Sequence, residues 1–343
     1  MSCAGPERII ILLLLLFGLP ATVVQAAVEP LFEGDSVLEV ELAGPLDELI
    51  ANKKRRTELP FVLTANDAQL SVNLRVRGKS RLRVCDFPPL RINFANADTQ
   101  DTIFSGQGKL KLVTHCKKSD EAEKNTLEEF AAYKIFNLIS DMSYRVRLLH
   151  IAYTDTDEPG KGKLLQRYGF LIESESQLAA RTGGKPVRVV GLPRRSLDEN
   201  QAAVVFVFQY LIGNTDWSLV TGDDEEICCH NGDLFKIGSS THYVPYDFDL
   251  AGLVNARYAY PHPSLRIRKV TQRLYRGLCL SPELLRNALR TVSAQRDNIL
   301  AVLWGTPGLL PEDIEAKVAY LTQFFIKAED EEGLLRSFGR RCL

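Results

Sequence analysis

Leu70-Ser71-Val72-Asn73-Leu74-Arg75-Val76-Arg77-Gly78-Lys79-Ser80 alternates apolar and polar side chains until Gly78 ends the pattern. A period of two is that of a strand with one buried face. Leu90-Arg91-Ile92-Asn93-Phe94 follows Pro88-Pro89 with the same alternation, and Leu110-Lys111-Leu112-Val113 adds a third run. Val146 to Tyr153 and Tyr168 to Ile172 read as two further strands, separated by a polar loop with Pro159-Gly160-Lys161-Gly162. One helix interrupts this β-rich half. It opens in the polar, acidic stretch Ser119 to Asn125 and carries apolar residues around much of its girth, from Leu127 to Ile139.

The second half reads as mainly helical. Gln201 to Ile212 is an apolar run stopped by Gly213. Ser281 and Pro282 have the residue types of an N-cap and first turn, for a helix expected to run to about Trp304. Pro311 opens another, to about Ala328. Between them lies Gly213 to Pro263, rich in Asp, Asn, Gly and aromatics. A loop region of that length in a compact domain is usually functional. The Gly183-Gly184 and Pro186 interruption places the division between the halves within Ser174 to Ser196.

The chain has 343 residues, 45% hydrophobic and 25% charged, with a net charge of −1. That balance argues against nucleic-acid binding by bulk charge, which needs clustered Lys and Arg. There is no internal repeat, so solenoids and propellers are excluded. Arg8, the apolar run Ile9 to Phe17 and the small-residue exit Val24-Gln25-Ala26 read as a signal peptide over residues 1–26. The expected mature chain is exported, periplasmic or extracellular, with no membrane span after cleavage. An uncleaved anchor is the rival reading. Past Cys3 the cysteines are Cys85, Cys116, Cys228, Cys229, Cys279 and Cys342, an even set that fits disulfides. Cys85 and Cys116 are natural partners. Adjacent Cys228 and Cys229 are expected to bond outward, to Cys279 and Cys342. Zinc on Cys228, Cys229 and His230 lacks the usual spaced pairs.

Two segments concentrate acids directly after apolar stretches: Leu211-Ile212-Gly213-Asn214-Thr215-Asp216-Trp217 and Val244-Pro245-Tyr246-Asp247-Phe248-Asp249-Leu250, with Asn231 between them. Such hard oxygen donors suit Mg²⁺. Asp216 alone reads most simply as a cap or turn residue. Asp247 and Asp249 would share a face on a strand, where like charges repel unless a cation lies between them. Tyr258, Tyr260, Pro261 and Pro263 read as a packed loop, or else as a lip for an acceptor. No Gly-x-Ser-x-Gly elbow or His-x-x-x-His pair supports a hydrolase or zinc protease.

Gly213-Asn214-Thr215-Asp216-Trp217 followed by Pro245-Tyr246-Asp247-Phe248-Asp249 resembles the spore-coat CotH-type kinase family. Val76-Arg77-Gly78-Lys79-Ser80 and Tyr168-Gly169-Phe170-Leu171-Ile172-Glu173 add to the resemblance, which spans roughly Leu70 to Leu250 as scattered short motifs. The resemblance implies an α+β, protein-kinase-like two-lobed fold: an antiparallel β-rich N-lobe over residues 27–180 and a mainly helical C-lobe over 181–343. It implies an ATP-using, Mg²⁺- or Mn²⁺-dependent phosphotransferase acting on a protein or small-molecule acceptor. Asp216 would be the catalytic aspartate; Asp247, with Asp249 and Asn231, would hold the metal; Lys111 and Glu129 would pair over the nucleotide phosphates. Periodicity does not separate Lys111 from Lys109, Arg91 and Lys79, or Glu129 from Glu128. Asn231 stands fifteen residues after Asp216, where ordinary kinases have five, and no Gly-rich loop is present. A non-catalytic exported scaffold, a pseudokinase, is the alternative.

Overall fold

The computed structural model describes Met1 and residues 30–157, 165–219 and 228–343. Past Met1 the expected leader lies outside these residues, as do the Pro159-to-Gly162 loop and the acidic run Asp223-Asp224-Glu225-Glu226. The chain order is β1 (Leu38–Gly44), α1 (Leu46–Ala51), β2 (Leu59–Ala65), β3 (Ala68–Val76), α2 (Arg81–Val84), β4 (Leu90–Asn93), β5 (Lys109–Val113), α3 (Asp120–Ile139), β6 (Val146–Asp155) and β7 (Leu165–Ile172). There follow α4 (Glu175–Thr182), β8 (Lys185–Val187), α5 (Glu199–Ile212), β9 (Gly232–Ile237), β10 (Ser240–Pro245), α6 (Pro282–Ala294), α7 (Arg296–Trp304), α8 (Pro311–Glu329) and α9 (Glu331–Gly339).

Seven strands close into a barrel in the order β1-β2-β3-β4-β5-β7-β6. This overturns the expected kinase-like two-lobed fold with its antiparallel N-lobe, although the α+β class stands. The closing pair, β1 with β6, is parallel, with Leu38 opposite Leu149 and Gly44 opposite Asp155. Strict alternation fills the barrel: Leu38, Val40 and Leu42 from β1, Leu70, Val72, Leu74 and Val76 from β3, and Leu149, Ile151 and Tyr153 from β6 form one apolar cluster. On β6, Val146 and Leu148 belong instead to the second cluster, with Phe170 and Ile172 of β7 and the apolar face of α3. The β6–β7 wall is therefore covered on both sides, as the adjacent apolar residues Leu148-Leu149 and Phe170-Leu171-Ile172 reflect.

That second core runs on through α5 to the helices behind it. Ser119 caps α3, its Oγ accepting the Ala122 N–H at 3.3 Å, and Asp120, Glu121 and Glu123 suit the positive helix start. Asp198 caps α5 in the same way, and Gly213 ends it in the left-handed region, φ 65°. Tyr320 packs so close there that any β-carbon on Gly213 would meet its hydroxyl. The helix expected from Pro282 to Trp304 is two helices, divided at Gln295. The region expected as one long loop contains the hairpin β9–β10, which joins β8 in a three-stranded sheet.

Cys85 bonds to Cys116 as expected. Cys228 and Cys229 bond to each other, and Cys279 to Cys342, so the outward pairing of the adjacent cysteines is not the one adopted. Disulfides of this kind are compatible with an oxidising, exported setting. Among the described residues no helix is long and apolar enough to cross a membrane.

His115, beside the first disulfide, is fully buried against Phe87, ring centroids 4.5 Å apart, and neither ring nitrogen has a hydrogen-bond partner. Burial, then the Arg167 charge, push its pKa from 6.5 down to about 4. The unfolded chain therefore takes up this proton first as pH falls. Stability is intact above the unfolded pKa and declines through the window from 6.5 to about 4, by an amount on the order of 3 kcal/mol. In urea titrations at about pH 7 and about pH 4.5, a His115→Leu protein is expected to lose less stability on acidification than wild type. Equal losses would show that His115 takes no part.

Candidate functional site

The site forms where the outer face of the barrel meets the start of the helical layer. Lys111 lies on β5 with Arg91 opposite on β4 and Ile172 on β7. Leu110 and Leu112 point into the barrel, which turns Lys111 outward. Its ammonium rests over the rings of Tyr246, 4.7 Å, and Tyr144, 5.8 Å. Glu129 projects from α3 into the same cleft. Glu128, one residue round the helix, pairs instead with Lys317 of α8 at 3.0 Å, so the tertiary packing distinguishes the two acids. The cleft, about 50 Å³, is lined by Arg77, Gly78, Lys79, Lys111, Glu129 and Asp247 among others. That volume suits an ion or a few waters.

Glu129 pairs with Arg81 where the kinase-like expectation has Lys111. Arg81 Nη2 lies 3.0 Å from Glu129 Oε2, 3.1 Å from Asp247 Oδ1 and 3.0 Å from Asp249 Oδ2. Arg81 is itself buried. Burial pushes the Glu129 carboxyl well above the usual range; Arg81 pulls it back, and Asp249 and Asp247 push it up again. Asp249 is raised in the same way, by burial first, against Arg81. Tyr258 donates to Asp249 at 3.0 Å, so this tyrosine is part of the packed site, while Tyr260 is exposed. The Asp247 N–H donates to the Tyr133 hydroxyl, 2.9 Å; its backbone is left-handed, φ 61°, and its carboxylate is the most open of the three.

A second cluster forms at the end of α5. After Gly213, Asn214 Oδ1 accepts the Asp216 N–H at 2.9 Å in a local turn. Asn231 donates to Asp216 Oδ2 at 2.8 Å and to its carbonyl at 2.7 Å, and His230 Nε2 lies 3.1 Å from Oδ1. The Tyr246 N–H donates to the Asn231 carbonyl at 3.1 Å, continuing the β9–β10 ladder by one step. That bond brings Asn231 opposite Tyr246, the residue before Asp247. Asp216 and Asn231 thus face each other directly but do not line the cleft, where Lys111, Glu129 and Asp247 stand and Arg81 joins Asp249 to them.

Arg81 escaped the sequence reading, Arg77 entered it only within the Val76-to-Ser80 motif, and His230 only as a zinc option. Arg77, Lys79, Arg81 and Arg83 place a cation at every second position around Gly78, a pattern visible in the sequence. Which of them is buried depends on α2 turning back over the cleft.

A divalent metal can be tested against these donors. Glu129 Oε1 is buried without a hydrogen-bond partner, and Asp247 and Asp249 supply hard oxygens. Mg²⁺ commonly takes one or two carboxylates and fills the remaining positions with water and phosphate oxygen, so the donor types fit. Among the described residues no group of three or more His, Cys, Asp or Glu stands ready as a cage. With Arg81 between them, the oxygens lie about 3 Å from its nitrogen, against roughly 2.1 Å in a Mg²⁺ shell.

Comparison with known protein families finds no match, and none of the curated proteins matches. Among solved structures, that of the Helicobacter pylori proinflammatory kinase CtkA is similar over 74% of this chain and 90% of its own, at 11% identity and a TM-score of 0.40. At that distance the chemistry has to be argued from the residues themselves.

Proposed function

We propose that the chain is an exported, Mg²⁺-dependent phosphotransferase that moves a phosphoryl group from ATP to a hydroxyl on a protein or small-molecule acceptor. The observation that carries this reading is the meeting of cations and carboxylates in one cleft: Arg77, Lys79 and Lys111 with Glu129 and Asp247. Burial, then the neighbouring Arg77 charge, destabilise the Lys111 ammonium, and the opposite charge of a bound polyanion would offset that cost. Phosphoryl transfer needs such positioning and charge neutralisation more than covalent participation by the protein.

In this reading Arg77 and Lys111 hold phosphate oxygens. Asp247 and Asp249 would hold Mg²⁺, with Asn231 as the third candidate; when bound, the ion neutralises the charge that develops on the phosphates. Asn231 and His230 fix the rotamer of Asp216. The acceptor oxygen attacks the γ-phosphorus, the bond to the ADP oxygen breaks, and Asp216 takes the hydroxyl proton. The small cleft volume and the guanidinium among the carboxylates favour a second reading, a scaffold that binds a phosphate-bearing anion without turnover.

Thermal melting with ATP and Mg²⁺ tests both. A ligand at about a hundred times its Kd stabilises by about 2.7 kcal/mol, so a clear rise in Tm is expected, together with label transfer from γ-labelled ATP. A rise without transfer selects the scaffold. No rise at millimolar ATP rejects both.

A further inference from the structure

The Nη2 atom of Arg81 carries two N–H bonds but faces three carboxylate oxygens, from Glu129, Asp247 and Asp249, all at 3.0–3.1 Å. Its hydrogen bonds go to Glu129 and Asp247, while Asp249 Oδ2 meets it as an ion pair and takes its hydrogen bond from Tyr258. Three acids converging on one point bring more acceptor oxygens and more negative charge than one guanidinium nitrogen serves. A further feature points the same way. Glu129, its side chain only 2% exposed, lines the cleft with Oε1 unpartnered, a buried acceptor that Arg81 does not satisfy.

We infer that Arg81 and a divalent cation compete for Asp247 and Asp249, so that the ion binds only as the guanidinium leaves them. The inference rests on the metal-dependent reading above and adds a device to it. Arg81 sits at the start of a four-residue helix whose Ser80 makes no side-chain cap and whose far end is tied by the Cys85–Cys116 disulfide, so the movement is one of the Arg81 side chain. Its neighbours at the cleft are Arg77, Lys79 and Lys111. Displaced from the acids, the guanidinium joins those cations, where its planar fork suits a phosphate. Metal entry and anion binding are thereby coupled through one side chain: the ion releases Arg81 to the anion, and the anion draws Arg81 away from the ion's ligands. Each ligand favours the other's site, as linkage requires.

The test uses Mn²⁺ as probe, titrated by electron paramagnetic resonance into the full chain as wild type, Arg81→Gln and Arg81→Lys. Arg81→Gln is expected to bind Mn²⁺ about tenfold more tightly than wild type or more, and Arg81→Lys to stay closer to wild type because it keeps the competing charge. If Arg81→Gln does not fold alone, Mn²⁺ is expected to restore its circular dichroism, and no recovery overturns the inference. Wild type binding Mn²⁺ as tightly as Arg81→Gln overturns the competition and leaves the metal-dependent reading standing. Failure of all three proteins to bind Mn²⁺ overturns both.

Discussion

An Asp247→Asn protein is expected to keep its fold and lose most of its phosphoryl transfer, by a factor on the order of 10²–10³. Asparagine is the substitution to use because position 247 has φ 61°. Asn tolerates the left-handed region, whereas alanine would add backbone strain to the loss of charge. The fold should survive for a second reason. The Asp247 side chain is 43% exposed, and Arg81 retains Glu129 and Asp249 when it is neutralised. The activity should not survive, since Asp247 combines the most open of the three carboxylates with a place in the cleft wall. Asp86→Asn is the matched control: that acid is 57% exposed and pairs with Lys117, a surface pair worth little. Turnover of γ-labelled ATP, with melting temperature as the check on folding, separates the outcomes. Wild-type turnover in Asp247→Asn would remove this residue from the site and the proposed chemistry with it.

The largest effects on stability are expected at two of the three disulfides. Chain-entropy arguments scale with the segment a bridge encloses. Cys85–Cys116 spans 31 residues and Cys279–Cys342 spans 63, while Cys228–Cys229 joins neighbours. Removing either long bridge should cost roughly 4 kcal/mol, a large share of the stability of an ordinary domain. Removing the adjacent pair should cost little through this route, because it encloses no chain. Cys279–Cys342 ties the C-terminus to the segment before α6, where the Leu343 N–H also donates to the Gly277 carbonyl. Urea unfolding of Cys→Ala pairs at the three bridges gives the comparison. A Cys228→Ala/Cys229→Ala protein as weakened as the other two would contradict the chain-entropy account and assign that bridge a packing role.

Local signals in the sequence were reliable where the physics is local. Ser119 before α3, Gly213 after α5 and Pro311 at the start of α8 mark helix ends through capping and backbone restriction, which involve only a few neighbouring residues. The alternation from Leu70 to Val76 made a strand for the same reason. The division at Gln295 escaped because the polar stretch Ser293 to Asn298 contains no Gly or Pro to break a helix. The barrel escaped for a different reason. Leu38, Val40 and Leu42 alternate with Glu39 and Glu41 as plainly as β3 does, but alternation names no partner. Only the pairing of β1 with β6, more than a hundred residues later, closes the sheet and replaces an open lobe with a barrel.

The site divides along the same line. By itself the sequence determined which acids end apolar stretches, Asp216, Asp247 and Asp249, and that a lysine on a strand and a glutamate on a helix were available near them. Only the tertiary structure decided that Glu129 and not Glu128 faces the cleft, that Lys111 lies over two tyrosine rings, and that Arg81 rather than Lys111 meets Glu129. Residue type and spacing act through the nearest turns of backbone. Ion pairing acts through space, and which charges meet depends on how distant segments pack.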